Sequence, residues 1–284
     1  MGKKLFTCRM RNKTIAFMGD SLGRQQFQSM MCMASGGGRL DSEVDDVGEE
    51  YNFVKPINAF VNGSTAYRFR TTNTTILFYW SVSLCKLKPS SPGKADYFAL
   101  HIDRPEPFLI DSLHMIDVLV LNTKHHWSED KLKRNRWVIH KNGLPVRDKN
   151  LSASANARNF AISSVVRWLD SQHPKHPGLK VFFRTLSPRH FVNGDWNTGG
   201  KCDSTTPLAY GDRITTEIGS YDSPVFNAVQ GTSVKVLDVT GLSRLRDEAH
   251  VSKFRILTHL QYDCLHWCLP GVPDEWNKIL YAQI

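Results

Sequence analysis

The pattern of apolar and polar positions divides the chain into short strands separated by helices and loops. Residues 13–33, KTIAFMGDSLGRQQFQSMMCM, set the pattern. Residues 14–18 are a short apolar run of strand type. Gly19, Asp20 and Ser21 supply a sharp turn, and residues 22–33 place Phe27, Met30 and Met31 at helical spacing. Residues 34–50 are Gly-rich and then acidic, which predicts an exposed loop. Residues 66–70 and 75–80 read as two strands joined by a turn, a hairpin. The Pro/Ser/Gly composition of residues 86–94 predicts another loop. Residues 115–122, MIDVLVLN, form a strand apolar on both faces, as parallel sheets require.

The longest helical pattern spans residues 151–171, with Ala155, Ile162, Val165, Val166 and Leu169 on one stripe. The loop HPKHPG ends it. Residues 179–184 and 234–239 are further strands, separated by an irregular segment that begins at 185–202. Residues 272–283 close the chain as a short helix with Pro273 in its first turn. Strands alternating with helices predict an α/β fold, a three-layer α/β/α sandwich around a mostly parallel sheet. Ligands in such folds bind at the carboxyl ends of the strands. Ser21, Asn122 and Arg184 each follow a predicted strand and are expected on that edge.

The turn at Ser21 carries candidate chemistry. A hydroxyl where a strand meets a helix lies beside unsatisfied backbone N–H groups, which favour negative charge. Acyl transfer needs its nucleophile in such a place. Ser21 as a simple helix cap is the competing reading. Near the other end, QYDCLHWCLP at 261–270 puts Asp263 and His266 three positions apart, so a carboxylate and an imidazole share one turn. His266 is the candidate base and Asp263 the group that would orient it. Gly19-Asp20-Ser21-Leu22-Gly23 also fits the G-x-S-x-G elbow of α/β-hydrolases, but an elbow of that class follows several strands and takes its Asp and His from separate loops. An early Gly-Asp-Ser with a late Asp-x-x-His suits the SGNH/GDSL-hydrolase plan better.

At 284 residues with 41% apolar content the chain can bury one sizeable core. We expect residues 1–12 to be the remnant of an N-terminal region and residues 13–284 to be one domain. The net charge of +9 suits generic attraction to acidic partners, with a soluble surface rich in Lys and Arg as the favoured alternative to a dedicated polyanion site. No basic run with interleaved aromatics is present, so no nucleic-acid partner is expected. The six cysteines, Cys8, Cys32, Cys85, Cys202, Cys264 and Cys268, have no zinc-like spacing, and no metal is expected. Sequons at Asn12, Asn62, Asn73 and Asn150 are glycosylation candidates and, with the cysteines, favour a secretory compartment. No signal peptide and no apolar run of membrane-spanning length is visible.

Four separated motifs together resemble one family. FMGDSLGRQQ at 17–26 and DCLHWCLPG at 263–271 look like the plant trichome birefringence-like family, also described as the PC-esterase family of polysaccharide O-acetyltransferases. DVLVLNT at 117–123, followed by His125, His126 and Trp127, is similar to that family's DVLVFNTGHWW. VFFRTLSPRHFVNGDWNTGGKC at 181–202 is similar to its FFRTxSPxHFxxGxWNxGGxC. The resemblance runs from about Met10 to the C-terminus. Lys124 stands where the family has Gly, so which of His125 and His126 matches the family's His stays open.

The resemblance implies an acetyl-enzyme mechanism in which Ser21 is the nucleophile, His266 the base and Asp263 its support. Gly19 and Asp20 shape the turn. The Ser21 N–H, helped by Arg24 or Asn122, is expected to meet the oxyanion. Arg189 and His190 are candidates for the acceptor cleft, and Trp127, Trp196 and Trp267 for stacking on sugar rings, with packing and loop-fixing roles as the alternatives. The implied partners are an acetyl donor, as co-substrate rather than bound cofactor, and a wall polysaccharide, with xylan or another hemicellulose foremost. An acetylesterase and a non-catalytic pectin-binding protein are the competing functions. The resemblance further implies a Cys202–Cys264 disulfide and a Golgi location for the full-length form. Members begin with a cytosolic tail, a membrane anchor and a Cys-rich region. Anchoring is expected only through such a segment, and Cys8, Cys32, Cys85 and Cys268 are expected without partners, lowering stability relative to a complete member.

Overall fold

The structure, a computed structural model, describes residues 9–37, 44–53, 63–90, 96–204, 206, 222–251 and 262–284. Its larger sheet contains, among the described residues, β1 (Thr14–Gly19), β2 (Val44–Asp46), β3 (Thr65–Phe69), β4 (Thr74–Trp80), β7 (Val118–Leu121), β10 (Lys180–Arg184) and β11 (Lys235–Leu237). The spatial order is β11-β10-β7-β1-β4-β3-β2. From β11 to β4 neighbouring strands run parallel, and β3 and β2 add an antiparallel edge. Four helices of at least seven residues are described: α1 (Ser21–Ser35), α2 (Ser154–Gln172), α3 (Ser223–Val229) and α4 (Val272–Gln283).

Side-chain alternation along β1 shows why both sheet faces are covered. Ile15 and Phe17 join Leu22, Phe27 and Met30 of α1 and Trp276 and Leu280 of α4 in one core. Ala16 and Met18 point into the other core, with Val165, Val166 and Leu169 of α2. The fold is therefore the expected α/β sandwich with helices on both faces of the sheet. No described helix is long and apolar enough to cross a membrane.

Two predicted loops are corrected. Cys85–Pro89 is a strand, β5, in a second sheet ordered β5-β6-β8-β9, with β6 (Phe98–Pro105), β8 (Trp137–Lys141) and β9 (Leu144–Pro145). Leu100, Ile102 and Ile139 of this small sheet share a core with α2. Within residues 34–50, β2 pairs with the open edge of β3, and Gly48–Tyr51 forms a helical turn. Edge pairing needs only backbone groups, so an acidic sequence can supply it. The charges suit an exposed edge, where Asp45 meets Arg70 at 2.7 Å and Glu50 meets Arg68 at 2.5 Å. Residues 91–94 of the predicted loop lie outside the described residues.

Candidate active site

The turn after β1 is built around Asp20. It caps α1, its Oδ1 accepting from the Leu22 N–H at 3.0 Å and from Asn122 Nδ2 at 2.6 Å. Asn122 follows β7, the neighbouring parallel strand, and its N–H donates to the Met18 carbonyl at 3.1 Å. The Asn122 side chain fills the space that two glycines leave. A Cβ at Gly19 or Gly23 would stand 2.0 or 2.2 Å from Asn122 Oδ1. Arg184, ending β10, donates to the Leu22 carbonyl at 3.2 Å and lies over the Trp276 ring at 4.5 Å. Ser21, Asn122 and Arg184 thus meet at one sheet edge, as the sequence predicts.

The second half comes from the segment before α4. Asp263 Oδ1 accepts from the backbone N–H of Leu265 at 3.2 Å and of His266 at 3.0 Å. His266 Nδ1 stands 2.9 Å from Asp263 Oδ2, and His266 Nε2 stands 2.7 Å from Ser21 Oγ. The carboxylate fixes the tautomer: Nδ1–H donates to Asp263, and Nε2 can accept from the serine hydroxyl. Burial pushes Asp263 up, but the hydrogen bond and charge of His266 outweigh it and hold the carboxyl at about 2. Cys264, between these residues, is bonded to Cys202, with the Cα atoms 5.7 Å apart. Exposed Cys32, buried Cys85 and part-buried Cys268 are unbridged. Cys8 lies outside the described residues.

Ser21 and His266 open onto a cavity of about 720 Å³, lined also by Arg24, Gln25, Tyr67 and Phe78. The Arg24 guanidinium sits over Trp80, 5.3 Å from the ring centre. Behind the turn, burial raises the Asp20 carboxyl, yet His125, Arg184 and His126 together hold it below its ordinary range. His125 bonds the Ser187 carbonyl through Nε2 at 3.0 Å, and burial pushes its imidazole down to about 4. Burial likewise lowers His126, whose ring meets Trp80 edge-on. Among the described residues no three His, Cys, Asp or Glu side chains group as a metal would need.

Several expected site residues have other work. Trp127 is buried and donates to Thr123 Oγ1 at 2.7 Å. Trp267 is 1% exposed and donates to Ser187 Oγ at 2.9 Å. Both rings pack in the interior, the alternative to stacking on sugar. Asn122 is buried, does not line the cavity and braces the turn through Asp20, the turn-forming role that is its alternative. Trp196 is 40% exposed, with Arg134 5.9 Å from its ring centre. Arg189 pairs with exposed Asp195 at 3.1 Å. His190 donates its backbone N–H to the Cys264 carbonyl at 3.0 Å, and its Nδ1 lies 2.6 Å from His250 Nε2. Exposed Asn12 and Asn73 hydrogen-bond each other, exposed Asn150 accepts from Asn156, and Asn62 lies outside the described residues.

Sequence reasoning missed Gln25 and His250, which hold the backbone of residues 266 and 267. Gln25 Nε2 donates to the Trp267 carbonyl at 2.7 Å, and its Oε1 accepts from the Trp267 N–H at 3.0 Å. His250 Nδ1 donates to the His266 carbonyl at 3.0 Å while its ring stacks on Trp267 at 4.1 Å.

Comparison with known proteins places the chain in one family. The sequence model of PC-Esterase, a GDSL/SGNH-like acyl-esterase family found in Pmr5 and Cas1p, matches residues 2–283. Trichome birefringence-like 14 of Arabidopsis thaliana is 55% identical, across 98% of this chain and 71% of its own length. Trichome birefringence-like 15 of the same plant is 51% identical, across 98% of this chain and 58% of its own length. The plant's trichome birefringence protein is 29% identical, across 97% of this chain and 45% of its own length. This chain thus spans roughly half to seven-tenths of these relatives. The chain belongs to the PC-esterase family, within its trichome birefringence-like branch.

Proposed function

We propose that this protein is an O-acetyltransferase that carries an acetyl group on Ser21 and passes it to a hydroxyl of a plant cell-wall polysaccharide, xylan or another hemicellulose, in the Golgi. The observation that carries this reading is the hydrogen-bonded line Asp263–His266–Ser21, with His266 Nε2 2.7 Å from Ser21 Oγ at the mouth of an open cavity. Ser21 Oγ attacks the carbonyl carbon of the acetyl donor while Nε2 takes the hydroxyl proton. The bond to the donor's leaving group then breaks, and that group takes the proton from His266. A sugar hydroxyl attacks the carbonyl carbon of the acetyl-Ser21 ester, Nε2 accepts its proton, and the bond between the acetyl carbon and Oγ breaks as Oγ takes the proton back from His266. Asp263 stays ionised throughout and stabilises the imidazolium. The first turn of α1 offers its unsatisfied N–H groups to the oxyanion. Exposed Asn12, Asn73 and Asn150 suit glycosylation in the same compartment.

The acyl-esterase description of the family favours one second reading: water takes the acetyl group in place of the sugar. Both readings are tested with the purified protein, an activated acetyl donor and oligosaccharides of xylan, glucomannan, xyloglucan and pectin, followed by mass spectrometry. A mass gain on one glycan, lost in Ser21→Ala and His266→Ala, supports the transferase and names the acceptor. Free acetate with no mass gain supports the esterase. Glycan binding with no acetyl chemistry overturns both and leaves a wall-binding protein.

A further inference from the structure

The geometry points to Gln25 as the positioning residue that sets the distance between Ser21 and His266. This inference rests on the proposed role of that pair. Ser21 and Gln25 are four positions apart on α1, so they occupy one face of the same helix. The Gln25 amide binds both backbone groups of Trp267, the residue after His266, much as a neighbouring strand would. The result is a short closed ring: Ser21, one helical turn, the Gln25 amide, the Trp267 backbone, His266 and back to Ser21 through 2.7 Å. The other restraints on this backbone come from elsewhere. His250 holds the His266 carbonyl, and Ser187 holds the Trp267 indole. They can fix the His266 segment in the fold. Gln25 fixes it to the helix that carries the nucleophile, which is the coordinate that proton transfer depends on.

A side-chain amide suits this task. Its planar N–H and C=O match the peptide's acceptor and donor, so two hydrogen bonds restrain orientation as well as distance. An error of about 1 Å between reacting groups can cost on the order of 10²-fold in rate. Gln25→Met keeps the length and loses both bonds. Gln25→Glu keeps the acceptor for the Trp267 N–H and loses the donor.

The test reads the His266 ring by NMR at one fixed pH and needs no glycan activity. Ser21 Oγ–H donates to Nε2, so Ser21→Ala removes that hydrogen bond and should move the Nε2 resonance in the wild-type background. In the Gln25→Met background the same Ser21→Ala change should shift it by less than half as much, with Gln25→Glu intermediate. Near-UV circular dichroism and Tm establish that each variant is folded. An undiminished Ser21→Ala shift in folded Gln25→Met overturns the inference, because the pair would then hold its geometry without the clamp. Where acetyl transfer is measurable, Gln25→Met should lower kcat about 10- to 100-fold with KM little changed. A Ser21-dependent Nε2 resonance shift that follows Gln25, in a protein with no acetyl chemistry, would retain this inference and remove the proposed function.

Discussion

At the scale of single residues, the turn that carries Ser21 is a packing solution around Asn122. An exposed helical Gly→Ala change ordinarily stabilises by up to about 1 kcal/mol. At Gly23 the sign should reverse, because the added methyl would stand 2.2 Å from Asn122 Oδ1. Overpacking of this kind costs about 1–3 kcal/mol. Shortening the obstacle should recover much of it. In urea unfolding, Gly23→Ala should cost less in an Asn122→Ala background than in the wild type. Gly19→Ala should not be rescued in this way, since its methyl would also meet the Asn122 backbone carbonyl at 2.6 Å. Equal rescue at both glycines would refute the packing account. The same scale holds the chemistry. Asp263→Asn removes the charge that accepts the Nδ1–H hydrogen bond and steadies the imidazolium, so the proposed acetyl transfer should fall by about 10³- to 10⁴-fold. Substrate affinity should change little, which KM against kcat would report.

Among the elements, α2 is tied to the candidate site by a buried ion pair. Arg158 donates through Nη2 to both Asp222 oxygens, at 2.9 and 3.0 Å, and through Nε to the Thr123 carbonyl at 3.0 Å. Both side chains are nearly inaccessible, at 2% and 4%. Arg158→Met would strand a buried carboxylate and should cost about 3–5 kcal/mol, whereas Arg158→Met with Asp222→Leu should recover most of that. Denaturant midpoints of the two variants decide it, and equal midpoints would contradict the account. The elements differ in how legible they were. The strands of the large sheet other than β2 read as strands from their apolar content, with β1 and β4 buried almost end to end, and α1, α2 and α4 carry helical spacing, which the buried Ile162, Val165, Val166 and Leu169 of α2 repeat. The small sheet does not advertise itself, because Lys86, Lys88, Asp103 and Arg104 interrupt the apolar positions and Pro89 ends β5. β2 exists through the edge that β3 offers, which no local pattern encodes. Ser21, Asp263 and His266 were legible because acyl transfer needs those residue types together. Gln25 was not, since its partner lies 242 positions away and an amide gripping a backbone leaves no sequence signature.

For the whole molecule, stability should depend on the disulfide and on pH in ways the described residues define. Cys202–Cys264 closes a separation of 62 residues, worth about 4 kcal/mol by loop entropy. Its reduction should also loosen the segment carrying Asp263. Two carboxyls then act in opposite directions. Asp263 is held at about 2, below its ordinary 3.8. Its contribution is present above the ordinary value and is lost as pH falls through the folded value. Glu106 is the reverse case. Burial raises it from 4.5 to about 7, against the hydrogen bonds from Tyr79 and Ser81 and the nearby charge of Lys86. The unfolded chain releases that proton first, so from about 4.5 to about 7 the folded state binds more protons and loses stability as pH rises. Glu106→Gln cannot ionise and keeps an amide in the same place. Its Tm should fall less than the wild type's between pH 5 and pH 8, and the two curves should diverge mainly across that interval. Parallel curves would mean that Glu106 is as well solvated as a surface carboxylate, and that the core beside Tyr79 and Phe108 is more open than its stacked rings, 4.1 Å apart, imply.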